Sequence, residues 1–255
     1  MDARRWGRDA TPELAGGALD GVVGLLPVGA TEQHGPHLPT ATDSIIAEHL
    51  CVATASAVPD TIVLPTITFG ASAGHGRLLA GTIGVTGAQL ADLVVTIATE
   101  AARSGLRRIL AVNAHFGNGA ALDLARDHIR LERPDLRFGV IHWWTLGAEL
   151  TAEMTADGAD VHANRAETSV MMAIAPETVH LDRVADADDP DRTDGLVFGY
   201  TAASLSTNGV TGRPSEATAE LGDRLVGLAV TQLVDVVARA KTEEPPLSDH
   251  RPRGA

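Results

Sequence analysis

The chain runs to 255 residues yet holds one cysteine, Cys51, so no internal disulfide framework braces it. Lysine is nearly missing as well: Lys241 is the only one, and arginine supplies the remaining positive charge. With the richness in Ala, Gly and Asp, this reads as a GC-rich coding bias and not as a functional signal. Positive charge is in deficit overall, with a formal net charge of −13. That balance argues against a nucleic-acid or anionic-membrane partner. No apolar run reaches the roughly 18 residues of a membrane span. The first 16 residues are charged and lack the apolar centre of a secretory signal. The expected setting is therefore the cytoplasm. No internal repeat and no domain linker interrupts the chain.

What is present is a 44% hydrophobic composition, enough to bury the core of one α/β domain over 1–255. Continuous apolar runs at Gly24 to Ala30, Thr61 to Ile67, Arg107 to Asn113 and Arg137 to Trp144 suit strands buried on both faces. Helical patterns alternate with them: Asp43 to Val58, Gly87 to Ser104, Asn118 to Glu132, Glu167 to Ala175 and Ala217 to Lys241. Thr42 or Asp43 is the expected cap of the first, and Gly105 closes the second. This alternation predicts right-handed βαβ units in a three-layer α/β/α sandwich with a mainly parallel central sheet. Ala185 to Asp194 is expected to be an exposed acidic loop, and 243–255 a flexible tail beyond a core of about 20–240.

Chemistry concentrates where predicted strands end. Glu32, His34 and Asp43 follow the first strand within a dozen residues. Carboxylates and imidazoles are the ligands that Zn²⁺, Mn²⁺ and Fe²⁺ accept. Glu32 and His34 share a side on an extended segment, and Asp43 returns from the start of the next helix. Taken singly, the two acids are also explained as caps and the histidine as a satisfied loop residue; the three together point to a metal. His115, in Asn113-Ala114-His115-Phe116-Gly117-Asn118, is another polar group at a strand end. A turn capped by Asn118 accounts for Gly117 and Asn118 but not for His115. The third piece is His162-Ala163-Asn164-Arg165-Ala166-Glu167-Thr168-Ser169. Glu167 is equally well explained as a helix-start acid with Thr168 or Ser169 capping. His162 has no packing role in a polar segment, which suits a general acid or base. His75 sits in a glycine-rich loop with Ser72, and both, together with Phe116, are expected at the substrate. Of the pair Trp143-Trp144, one ring is expected in the core and the other, Trp144, at the substrate pocket.

These motifs, Glu32-Gln33-His34-Gly35-Pro36-His37-Leu38-Pro39 with Asp43, Asn113-x-His115-x-Gly117-Asn118 and His162-Ala163-x-x-x-Glu167-Thr168-Ser169, resemble those of the creatininase family. Gly81-Thr82-Ile83 and Gly209-Val210-Thr211-Gly212-Arg213-Pro214 resemble it too. The resemblance implies an α/β/α fold, a homo-oligomer (a hexamer built from dimers) and hydrolysis of amide C–N bonds at a centre of one or two divalent ions. Zinc leads among these, with manganese or iron as alternatives. It implies Glu32, His34, Asp43 and His115 as metal ligands, with Asp43 bridging. It implies His162 as proton shuttle, and Glu167 as an acid at the centre that either ligates or acts as base. Creatininase itself has an acidic ligand where Gly117 stands and a tyrosine where Phe116 stands. It also has a tryptophan where Gly158 stands, while Trp144 matches another pocket tryptophan. The expected substrate is thus a small non-peptide or cyclic amide. The Gly117 pattern occurs in branches that act as formamide deformylases or as mycofactocin-type peptidases trimming a short precursor peptide, which are the alternatives.

Overall fold

In a computed structural model, residues 2–75 and 79–247 are described. Five parallel strands form one sheet: β1 (Arg4–Arg5), β2 (Val23–Val28), β3 (Thr61–Val63), β4 (Arg108–Asn113) and β5 (Arg137–His142), in the order β1-β3-β2-β4-β5. Eight α-helices accompany them among the described residues. They are α1 (Thr42–Ala57), α2 (Gly87–Arg103), α3 (Gly119–Glu132), α4 (Ala148–Met154), α5 (Arg165–Ile174), α6 (Leu181–Val184), α7 (Ala202–Leu205) and α8 (Ala219–Ala240).

Period-two alternation along the strands splits the core in two. Val23, Leu25, Leu110 and Val112 point to one face, where they pack with α1, α5 and α8. Leu26, Val28, Ile109 and Ala111 point to the other, against α2 and α3. The fold is therefore the expected three-layer α/β/α sandwich. No helix of the described residues is long and apolar enough to cross a membrane.

The predicted strands shorten for identifiable reasons. Pro65 has no N–H to donate, so β3 stops at Val63 and resumes only as a single bridge between Val28 and Ile67. The run ending at Trp144 turns into a 3₁₀ helix at Trp143. β5 is half-buried throughout, since it lies at the sheet edge and not inside it. The tiny edge strand β1 and helix α4 carry too short a pattern to announce themselves. Residue 243 does not start a free tail: Glu244 pairs with Arg108 at 2.9 Å. Residues 248–255 lie outside the described residues, as do 76–78 of the glycine-rich loop. Within the acidic segment, Asp189 is buried, not exposed. It accepts hydrogen bonds from Ser206 and Thr207 and pairs with Arg192. Burial opposes its charge, but these partners hold its carboxyl at about 2.

The chain goes from β2 outward to β3 and later from β4 outward to β5. The crossovers thus diverge between β2 and β4. Their carboxyl ends form the topological switch point, the crevice where open parallel sheets bind ligands.

Candidate metal centre

The two central strands deliver the ligand segments. β2 ends at Val28, and the loop after it carries Glu32 and His34 into the crevice; β4 ends at Asn113, two residues before His115. Asp43 comes from the first turn of α1. Neither Asp43 nor Thr42 caps that helix: Ala41 is the N-cap without a side-chain bond, and Thr42 Oγ1 donates to Pro39 O. Asp43 is thereby left for the crevice.

The four side chains converge while almost fully buried. His34 Nε2 lies 3.2 Å from Asp43 Oδ1, and His115 Nδ1 lies 3.4 Å from Asp43 Oδ2 and 3.2 Å from Glu32 Oε1. One carboxylate thus faces a histidine on each side, the disposition of a bridging ligand. None of these approaches satisfies the groups. Both Glu32 oxygens, His34 Nε2 and Asp43 Oδ2 are buried without a hydrogen-bond partner. Orphaned buried lone pairs are costly, and a cation between them removes the cost.

Each histidine is anchored on a backbone carbonyl through its other ring nitrogen. His34 Nδ1 donates to Glu32 O at 3.1 Å, His115 Nε2 faces Ala71 O at 3.5 Å, and His162 Nε2 donates to Gln33 O at 2.8 Å. Such anchoring fixes the tautomer and aims the free nitrogen, as around metal-bound histidines. Asn113 holds the His115 backbone from both sides, accepting from its N–H and donating to its carbonyl.

Glu167 reaches the same place from the first turn of α5. Asn164, not Thr168 or Ser169, caps that helix by accepting from Ala166 N and Glu167 N. Ala163 sits at φ 51°, a left-handed conformation costly for alanine. That conformation turns Ala163 N–H onto Glu167 Oε2 at 2.7 Å. Three overlapping triads have ligand atoms within 4.8 Å of one another: Glu32/Asp43/His115, His34/His162/Glu167 and Glu32/His75/His162. Carboxylates and imidazoles in this number suit one or two borderline divalent ions.

The electrostatics are those of a cation-free cluster. Burial disfavours the Glu32 carboxylate, but His115, His162 and His34 around it hold its pKa well below the usual range. Burial works against charge on His34 too, yet Asp43 foremost raises it to about 10. Burial lifts Glu167 to about 7. Burial and the neighbouring His34 push His162 down.

The cluster floors a cleft of about 680 Å³ whose wall includes His75, Phe116, Asp160, Tyr200 and Thr211. Of the residues expected at the substrate, His75 and Phe116 line this cleft. Ser72 does not: it is 1% exposed and lies behind His115, its Oγ 3.4 Å from Nε2. Trp144 does not line the cleft either; it backs the wall, stacked on Phe116 with centroids 3.9 Å apart. Trp143 is fully buried in the core. Asn118 stands at the N-cap position of α3, but its side chain makes no capping bond. It ties three loops together, accepting from Ala71 N and donating to Gly29 O and Asn113 Oδ1.

The profile of the Creatininase family, described as creatinine amidohydrolase, matches residues 10–237. The chain belongs to the creatininase family. It is 35% identical over 226 residues to the mycofactocin precursor peptide peptidase of Mycobacterium ulcerans (strain Agy99), covering 84% of each chain. It is 29% identical over 237 residues to the creatinine amidohydrolase of Pseudomonas putida, covering 87% of this chain and 90% of that one. A creatininase crystal structure superposes with a TM-score of 0.79 at 26% identity, covering 96% of this chain and all of that one. Two further creatininase structures, one a mutant described as Zn-Zn type and one as Mn, superpose at 0.79 and 0.78 with 27% and 26% identity. They cover 95% and 94% of this chain, and each is covered in full. As a creatininase-family member the protein is a metal-dependent amidohydrolase, and its buried acid–imidazole cluster is where a divalent ion fits. At Gly117 a Cβ would overlap the His115 ring and lie 2.7 Å from Ala71 O. No side chain fits there without moving the loop that aims His115.

Two residues of this site escaped the sequence reading. Gln33 was visible only as a spacer between two ligands, although its opposite parity already placed it on the other side of the segment. The strained Ala163 carries no sequence signal, because positive φ is announced by glycine or asparagine and not by alanine.

Proposed function

We propose that the protein hydrolyses an amide C–N bond in a small, planar or cyclic amide bound in the cleft above Glu32, His34, Asp43, His115 and Glu167. The observation that carries this is the set of buried, partnerless ligand atoms opening onto a cleft that also presents a free histidine nitrogen. Glu32, Asp43 and His115 would hold one ion, and His34, Asp43 and Glu167 a second. A divalent ion held there supplies Lewis acidity toward the carbonyl and lowers the pKa of water toward ~7.

The remaining work belongs to the chain's own groups. Burial raises the Glu167 carboxyl to about 7 in the cation-free cluster. As a ligand of the second ion it would be held ionised, and only with that ion absent is it free to take up a proton. His162 Nδ1 lies 3.6 Å from Glu32 Oε1, unprotonated while Nε2–H is committed to Gln33 O. It receives a proton at that atom and passes it to the departing nitrogen. Phe116, stiffened by its stack on Trp144, offers an apolar face to a flat substrate.

The peptide-trimming reading has its own support: the 35% identity to a peptidase over 84% of each chain. A hydrolysis screen over cyclic amides, formamides and short peptides separates the two. Chelation should abolish turnover, and Zn²⁺, Mn²⁺ or Fe²⁺ should restore it; full activity in metal-free protein refutes the proposal. His162→Ala should lower turnover by ~10²–10⁴ with metal content unchanged. Metal loss in that variant would instead make His162 a ligand.

A further inference from the structure

We propose that Gln33 is a positioning residue whose amide sets the proton positions on two histidines, making His75 a hydrogen-bond donor and His162 a proton acceptor at the scissile bond. The inference rests on the hydrolytic reading above and deepens it.

Gln33 is 4% exposed, and its side chain touches four groups. Oε1 accepts from Gly35 N at 3.0 Å, and Nε2 donates to Gly209 O at 3.1 Å. Both partners are backbone groups of fixed polarity, so the amide cannot be turned over without opposing donor to donor and acceptor to acceptor. Nε2 also lies 3.1 Å from His75 Nδ1 and 2.8 Å from His162 Nε2, while His162 Nε2 is 2.8 Å from the Gln33 carbonyl oxygen.

One proton assignment gives every acceptor a hydrogen, at the cost of leaving the Gln33 amide and His162 Nε2–H as two donors 2.8 Å apart. His162 Nε2–H donates to Gln33 O. The Gln33 amide gives one hydrogen to Gly209 O and the other to His75 Nδ1. The alternative, with the amide donating to His162 Nε2, sets that nitrogen's lone pair against the Gln33 carbonyl and strips His75 of its donor. A neutral imidazole carries one ring proton, so an accepting Nδ1 on His75 puts the hydrogen on Nε2. His162 is the converse: with Nε2 protonated, Nδ1 faces the cluster as an acceptor.

The surrounding backbone is shaped to this amide. Gly209 has φ +86°, and a Cβ there would overlap the Gln33 carboxamide. The 209 segment passes over Gln33 only because glycine stands there. One side chain thereby links the β2–α1 loop, the His75 loop and the segment before the last helix.

In the reaction, water adds to the carbonyl carbon as the new C–O bond forms. Its proton goes to His162 Nδ1 and from there to the nitrogen as the C–N bond breaks. His75 Nε2–H donates a hydrogen bond to the carbonyl oxygen as that oxygen gains charge and transfers no proton.

The test is ¹⁵N-histidine NMR of the zinc-loaded full chain, wild type and Gln33→Glu. Glutamate is of the same size but donates no hydrogen. In wild type His75 should be protonated at Nε2. In Q33E it should be protonated at Nδ1, with zinc content unchanged and kcat down by ~100-fold or more while KM changes little. A wild-type His75 protonated at Nδ1 or bound to zinc overturns the assignment, as does a wild-type His162 protonated at Nδ1. So does a Q33E variant that keeps wild-type ring nitrogens and turnover, or one that loses its zinc. If zinc-loaded wild type hydrolyses nothing, the hydrolytic reading fails instead, and the NMR pattern still reports on Gln33 by itself.

Discussion

Replacing Asp43 with Asn removes the carboxylate that lies within 3.4 Å of both His34 and His115 while leaving its size unchanged. In metal-free protein His34 is 1% exposed and held as an imidazolium, its pKa raised from 6.5 to about 10, with burial opposing the charge and Asp43 chiefly sustaining it. A folded pKa above the unfolded one means that this stabilisation is complete below about pH 6.5 and fades as pH rises through about 10. At about 1.4 kcal/mol per pKa unit the shift corresponds to at most ~5 kcal/mol. Breaking a buried pair by deleting one partner costs ~3–5 kcal/mol, which agrees. Each kcal/mol moves the midpoint of a chain this size by ~2–4 °C. Chelator-treated D43N should therefore melt ~10 °C or more below wild type at about pH 6, with the gap closing toward pH 10. Calorimetry of both proteins at both pH values measures this. Elemental analysis of metal-loaded D43N should show loss of bound ions, because each half of the cluster is deprived of a ligand. Equal melting at the lower pH, or undiminished metal content, would refute the bridging role of Asp43.

Two further outcomes probe the scaffold. His37 is buried, hydrogen-bonded to Thr168 Oγ1 at 2.8 Å, and lowered to about 4 by burial first and His34 second. A depressed folded pKa means stability is lost as pH falls from 6.5 toward 4, by up to ~3 kcal/mol. Urea titrations of His37→Gln should show a flatter decline over that window than wild type, and parallel declines would contradict it. On α8, a Cβ at Gly222 would overlap Ser169 O of α5, whereas one at Gly227 meets nothing within 4 Å. Gly222→Ala should lose ~1–3 kcal/mol by overpacking, while Gly227→Ala should gain up to ~1 kcal/mol from helix propensity. Chemical denaturation of the two reads the contrast, and two equally stable variants would sink the packing argument.

Much of the architecture could be read along the chain because the central strands announce themselves. Val23–Val28 is buried at every position, and such runs with amphipathic helices between them admit few folds. The candidate ligands were legible for a related reason: Glu32, His34, Asp43 and His115 are polar groups that come after strand ends, where packing alone does not call for them. Ser72 and Trp144 were misplaced because a residue type near a motif does not reveal which way its side chain turns. Ser72 turned inward onto His115, and Trp144 stacked behind Phe116. The acidic segment read as solvated because charge density outweighs single residues in any local pattern. Asp189 was withdrawn from water by hydroxyls of Ser206 and Thr207, well after it in sequence.

Local order therefore settled which groups exist and roughly where each strand releases them. Strand ends, turns and helix starts depend on neighbours a few residues away, so a linear reading reaches them. Which nitrogen of His162 faces the cleft and what Gln33 holds depend on partners far along the chain. Gln33 meets His75 across 42 residues, His162 across 129 and Gly209 across 176. Hydrogen bonds are directional and short, so their partners are decided only once the sheet has brought its loops to one rim.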